Sequence, residues 1–247
     1  MAKKEFFVIG ILIVTLLILI AHSEMGITIA SAPEVSDGQD PENSKESKNR
    51  ENKDNKNNNR TQDQKFIALT FDDGPHPVYT PLLLDGLAER GVKASFFLIE
   101  KNIEGNEEIV RRMATEGHLI GNHTATHIML TSKTEEEACN EIEKTNQKIL
   151  EVTGSYPAYI RPPFGSWSEE LECIIPMNVV LWNIDPLDWK IQNKDKVVRH
   201  VVKNARNGGI ILLHDSYQSS VDAALEIIDT LSRQGYTFVT ADELLID

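Results

Sequence analysis

Hydrophobic residues fall into three textures along the chain. Phe6 to Ala21 is an apolar run that follows Lys3 and Lys4. Pro33 to Gln64 has almost no apolar residues and ends in ENKDNKNNNRTQDQ. From Lys65 onward, short apolar segments alternate with stretches whose apolar positions recur every three or four residues. These are the periods of strand and helix. KFIALTF, VKASFFLI, HLIGNH, AYIRPPF, NVVLWNI, GIILLHD and YTFV are the strand candidates. One helix is predicted from Thr80-Pro81, with Thr80 as N-cap, proline at the first position, Leu82, Leu83 and Leu87 as the apolar face and Gly91 at the end. EEIVRRMATEG, KVVRHVVKNARNG and VDAALEIIDTLSRQG are further helices, and DELL is a short terminal one. A long helix is expected from Thr134 to Thr153, where Thr134 and Glu137 have the spacing of a capping box.

Seven strand candidates interleaved with helices imply an α/β fold, a parallel sheet covered by helices. Such a succession closes into a barrel or opens into a doubly wound sheet. In both, the functional site forms at the carboxyl ends of the strands.

The first two textures place this domain. An apolar run such as residues 6–21 is too costly to leave in water and predicts a membrane-targeting segment, with residues 1–5 on the cytoplasmic side. Ala30-Ser31-Ala32 has the pattern of a signal-peptide cleavage site. It lies well beyond the run, with Glu24 between and Pro33 following, so a retained anchor is the preferred expectation over a secreted product. In both cases the remainder lies outside the cytoplasm. Residues 33–64 cannot bury enough surface to offset ordering entropy and predict a disordered linker, leaving 65–247 as a single catalytic domain.

Composition narrows the function. The 247 residues carry a formal net charge of −13, with 40% hydrophobic and 26% charged residues, an ordinary globular balance without a basic surface for nucleic acid. A neutral or zwitterionic substrate suits that charge better than an anionic polymer. Cys139 and Cys173 form no CxxC pair, which argues against a cysteine zinc site. Two small, unlinked, buried or half-buried residues are expected there, a disulfide being the alternative.

Five polar clusters follow strand candidates. Asp72 and Asp73, in TFDDGP, can serve one site only if the chain turns, and Gly74-Pro75 would supply the turn. His123 and His127, four apart, would reach one ion from one side of a helical turn, with Asp73 as the best third ligand. A two-His, one-carboxylate set leaves positions open for water and substrate. Arg161-Pro-Pro-Phe164-Gly165 is a stiffened loop, Asp185-Pro-Leu-Asp188-Trp189 sets a carboxylate beside an aromatic face suited to a sugar, and His214 closes LLHD.

TFDDGP, HTATH, RPPF, DPLDW and LLH, in this order, resemble the five motifs of the polysaccharide deacetylase family, also known as carbohydrate esterase family 4 or the NodB-homology domain. The resemblance spans about Lys65 to Asp247. It implies a distorted (β/α) barrel with fewer than eight regular repeats, about seven strands here. It further implies that Asp73, His123 and His127 hold one divalent metal, zinc first, with cobalt, manganese or nickel also suited. By the same resemblance Asp72 would be the general base, paired with Arg161. The Phe164 N–H would help form an oxyanion hole, and Trp189 and Leu212 would line an acetyl pocket. His214 would be the general acid, tuned by Asp188. The implied reaction is removal of N-acetyl groups from N-acetylglucosamine-type residues of peptidoglycan or chitin oligomers, by a monomer. An O-acetyl esterase acting on acetylated xylan and an inactive sugar-binding domain are the alternatives.

Overall fold

The computed structural model describes residues 64–168, 171 and 177–245, all within the unit Asn58–Asp247. The expectations for residues 6–21, for Cys173 and for nearly all of the 33–64 segment lie outside the described residues. Among the described residues no helix is long and apolar enough to cross a membrane. The chain runs β1 (Lys65–Gly74), α1 (Tyr79–Glu89), β2 (Ser95–Leu98), α2 (Glu100–Ile103), α3 (Glu107–Thr115), β3 (Leu119–Asn122), α4 (Glu135–Thr153) and β4 (Tyr159–Ile160). It continues through β5 (Asn178–Val179), α5 (Asp188–Ile191), α6 (Lys194–Asn204), β6 (Gly209–His214), α7 (Gln218–Arg233) and β7 (Tyr236–Val239). Short 3-10 turns lie at Leu130–Ser132, Pro163–Gly165 and Asp242–Leu244.

Among the described residues all seven strands are parallel, in the order β5-β4-β3-β2-β1-β6, with β7 also on β1. β7 pairs with the first half of β1 (Lys65↔Tyr236 to Ala68↔Val239) and β2 with the second half (from Thr70↔Ser95). The stretch predicted as one strand, NVVLWNI, is two contacts joined by a crossing. Its start pairs with β4 and Ile184 bridges to Ile211 of β6. Neighbour-to-neighbour pairing thus returns to β6, which gives the expected distorted (β/α) barrel. AYIRPPF likewise contributes only Tyr159 and Ile160 to the sheet. Pro162 and Pro163 lack the N–H that a ladder needs, so pairing stops there.

Alternation along β1 divides its two faces. Ile67, Leu69 and Phe71 join the main core beneath the helices, together with Leu83, Leu84 and Leu87 of α1. Ala68, Thr70 and Asp72 face the other way, where Ala68 packs with Phe97, Val180 and Ala241. The α1 expectation needs two corrections. Leu84 is buried while Leu82 is 44% exposed, and Thr80 is an interior residue rather than the cap. The Thr80 hydroxyl is taken up by the His76 N–H and the Asp215 carboxylate, so it is drawn inward. α4 begins as expected, with a reciprocal Thr134–Glu137 capping box. Cys139, half-buried on α4, is disulfide-bonded, which overturns the expectation of an unlinked residue.

Arg161 follows β4 and has no solvent exposure. Its guanidinium donates to the Val180 and Leu181 carbonyls, to Thr70 Oγ1 at 2.6 Å and to Asp72 Oδ1 at 2.8 Å, and it lies 4.2 Å from the Phe97 ring centroid. Removing one partner of such a pair leaves an uncompensated buried charge, which costs about 3–5 kcal/mol. R161M is expected to lower the unfolding free energy of the full chain by about that amount, and D72N/R161M to recover a good part of it. Denaturant melts of the three proteins check this, and a single variant as stable as the wild type would refute it.

Candidate active site

Asp72 and Asp73 come to one side of the sheet by a β-bulge. β1 pairs Asp72 with Phe97 but Gly74 with Leu98, so Asp73 is an extra residue, and its φ is +70°. The expected turn therefore occurs one residue earlier than Gly74-Pro75. Asp is among the few residues that tolerate the left-handed region, and here that conformation brings its carboxylate beside that of Asp72. The Asn102 amide donates to the Asp73 carbonyl at 2.7 Å, and the Ile99 N–H donates to Gly74 O.

His123 and His127 are not on a helical turn. Residues 123–127 form a loop after β3, with Thr124 at φ +65° and His127 at φ +61°. The loop is held without a helix of its own. Asn122 Oδ1 accepts from Thr124 N–H, Thr124 Oγ1 accepts from His127 N–H, and Glu141 of α4 binds Thr126. The first N–H groups of α2, on Glu100 and Lys101, donate to the Thr124 and Ala125 carbonyls.

The three side chains converge. Asp73 Oδ1 lies 3.4 Å from both His123 Nε2 and His127 Nε2. His123 donates its Nδ1–H to the Arg161 carbonyl at 2.5 Å, which fixes the ring with Nε2 aimed at the cluster. Burial holds the His127 imidazole below its ordinary pKa, against the pull of Asp73. Burial disfavours the Asp73 carboxylate too, but the imidazoles of His123, His214 and His127 outweigh it and hold the carboxyl below the usual range. Asp73 Oδ1 is buried with no hydrogen-bond partner among the described residues. Two ring nitrogens facing one unpartnered carboxylate oxygen, all within 4.8 Å, are a donor set that a divalent cation satisfies.

β6 contributes the opposing edge, with His214 in register with Asp72. Asp188, fully buried at the start of α5, receives His214 Nδ1–H at 2.9 Å, the His214 backbone N–H at 2.9 Å and the Ser220 hydroxyl at 2.6 Å. Burial alone would hold His214 neutral. The hydrogen bond and charge of Asp188, with Asp72 and Asp73 behind it, overcome that and push the imidazole up to about 9. His214 Nε2 lies 3.9 Å from Asp73 Oδ2.

These groups line one cavity of about 430 Å³, with Phe164, Trp189 and Leu212 on its wall. Phe164 is left-handed (φ +62°), 63% exposed, and set edge-on to His127. The structure thus gathers ten residues singled out in the sequence. Eight of them line the cavity, while Arg161 lies buried behind Asp72 and Asp188 behind His214. Trp182, Leu187 and Tyr217 also line it and were not singled out, because isolated apolar or aromatic residues cannot be told from core. Thr70 and Asn122 hold Arg161 and the histidine loop. A polar residue inside an apolar strand two places from Asp72, and another directly before His123, were the available signals.

A family model described as polysaccharide deacetylase matches residues 59–175. The peptidoglycan-N-acetylmuramic acid deacetylase PdaC of Bacillus subtilis is 42% identical over 182 residues, covering 74% of this chain and 39% of that protein. The peptidoglycan-N-acetylglucosamine deacetylase PgdA of Listeria monocytogenes is 37% identical over 185 residues, covering 75% and 40%. This chain therefore spans about two fifths of the length of these relatives. The solved structure of PdaC superposes with a TM-score of 0.72 at 42% identity, over 74% of this chain and 91% of that one.

The charge around His214 is open to direct measurement. In the metal-free full chain, an NMR titration of the ring is expected to show a midpoint near 9, as given above. In D188N the midpoint should fall by about 2 units, since a carboxylate in contact is replaced by a neutral amide. An unchanged midpoint in D188N would rule out Asp188 as the cause.

Proposed function

This chain belongs to the polysaccharide deacetylase family, and from that premise we propose that it is a metal-dependent hydrolase removing N-acetyl groups from N-acetylglucosamine-type residues of a cell-wall glycan. The observation that carries the reading is one cavity uniting the Asp73, His123 and His127 donor set with two differently paired proton carriers, Asp72–Arg161 and His214–Asp188. Two relatives are named for N-acetylmuramic acid and N-acetylglucosamine of peptidoglycan, which supports the substrate class. None of the described residues lining the cavity is Lys or Arg, and Trp182, Trp189, Phe164 and Tyr217 offer ring faces, which suits an uncharged sugar. The reading places this domain outside the cytoplasm, with residues 6–21 as its anchor.

A zinc-like ion held by Asp73, His123 and His127 would polarise the amide carbonyl and lower the pKa of a water from 15.7 toward about 7. Asp72 Oδ2 lies 3.8 Å from His123 Nε2, at the edge of the ligand cluster, and takes the proton of the attacking water. Arg161, itself held by Thr70, fixes the orientation of that carboxylate from within the barrel. The N–H of Phe164 donates to none of the described residues and is available to the carbonyl oxygen as negative charge develops. His214, charged at neutral pH, gives its Nε2 proton to the leaving amine while Asp188 holds Nδ1. Trp189 and Leu212 enclose the acetyl methyl. Water and the amide yield acetate and a free amino sugar, with no covalent enzyme intermediate.

Mass spectrometry of peptidoglycan fragments and chitin oligomers, incubated with the full chain and zinc, should show loss of the mass of one C2H2O unit per acetyl removed. Release of acetate from acetylated xylan alone would favour the esterase alternative, and no release from any glycan would favour a binding domain. Among variants, D73A is expected to lose metal and turnover together. H214A is expected to keep its metal while kcat falls about 10²- to 10⁴-fold. Parallel loss of metal in H214A would show that His214 is not the acid.

A further inference from the structure

Asp215 is a fully buried carboxylate that the proposed reaction does not use. It follows His214 at the end of β6, and it lies against the turn that carries Asp73. A methyl group added at Gly74 would meet Asp215 Oδ2 at 2.8 Å and Oδ1 at 2.9 Å, so the carboxyl group is seated directly on the Gly74 backbone. Only glycine leaves room for it. On its far side the carboxylate accepts from the buried Thr80 hydroxyl, which itself accepts from the His76 N–H at 2.7 Å. A continuous set of contacts therefore runs from Asp215 through Thr80 to His76 and spans the turn from below. The other Asp215 oxygen, Oδ1, is buried and has no hydrogen-bond partner among the described residues. Nothing satisfied by Oδ1 explains an acid here, whereas its contact with Gly74 does.

We propose that Asp215 is a positioning residue for the metal ligand Asp73, holding the left-handed bulge in place by packing under Gly74 and fixing Thr80 at the start of α1. The inference rests on the reading of Asp73 as a ligand. The bulge conformation is unfavourable in isolation and persists because surrounding groups over-determine it. Asn102 and the Ile99 N–H hold the two carbonyls from above, and Asp215 and Thr80 close the floor. Without the floor, β1 can revert to regular pairing, which would turn Asp73 Oδ1 away from His123 and His127. Shape matters more than charge in this role. Burial pushes the Asp215 carboxyl up to about 7, so an amide of the same shape is a fair substitute.

The test is zinc affinity by chelator competition and the visible spectrum of the cobalt(II) form, measured on the full-length wild type, D215A, D215N and T80V. D215A should bind zinc roughly 10- to 100-fold more weakly, the range for groups that support a ligand, with an altered cobalt spectrum. D215N should restore both. A folded D215A with wild-type affinity and spectrum overturns the proposal, as does D215N failing as badly as D215A. If D215A does not fold, T80V decides. It keeps the carboxyl group but loses its tether, so weakened zinc binding supports the proposal and unchanged binding overturns it. A wild type that binds neither ion overturns the ligand reading itself, a result distinct from failure of the variants.

Discussion

A guanidinium with no exposure to water faces a carboxylate with almost none, and the open end of the barrel is arranged around that pair. Arg161 cannot be left without counter-charge and acceptors in this interior, so Asp72, Thr70 and the Val180 and Leu181 carbonyls are all committed to it. Its own carbonyl is committed as well, to His123 Nδ1. One residue thus fixes the orientation of a carboxylate on β1 and of an imidazole after β3. It also draws in the stretch from Val180 onward, through which the sheet returns to β6.

Backbone strain is concentrated where this pair leaves the interior. Among the described residues six have positive φ without being glycine, Asp73, Thr124, His127, Phe164, Leu187 and Gln192, and four of the six line the cavity. Each such residue costs about 1–3 kcal/mol and persists only where its surroundings insist. Here the surroundings are visible for two of the segments, the amide of Asn102 above the bulge and the α2 N–H groups against the histidine loop. Regular strands would send successive side chains to opposite faces, so convergence of Asp72 with Asp73 requires a departure from regularity.

Much of this was legible in the sequence, for a physical reason. The polar clusters follow apolar runs, and a parallel sheet brings the ends of its strands to one rim, so Asp72, His123, Arg161 and His214 were identifiable before their contacts were. The α4 capping box was legible because it is a local interaction. What escaped depended on partners far along the chain. Thr80 carries the local signature of a cap, but Asp215, 135 positions away, claims its hydroxyl. The spacing of His123 and His127 fits a helical turn, but the loop is shaped by Asn122, Glu141 and the start of α2. Leu82 and Leu84 differ only in which side of α1 meets the sheet. Cys139 gives no local sign of its disulfide.

The unequal sharing of β1 has a consequence for the order of assembly. One edge of this central strand is divided between β2 and β7, and the other is filled by β6. Its side-chain contacts already reach 141 and 169 positions down the chain. A strand whose neighbours are synthesised so late cannot complete its pairing while the chain is still emerging, and such long-range closure is slow. The first half of β1 waits with an unpaired edge until the last described strand, β7, arrives, which is the interval in which a chain is most exposed to wrong partners. In this topology the central strand is the first to be made and the last to be completed, by β7 on the edge it shares with β2.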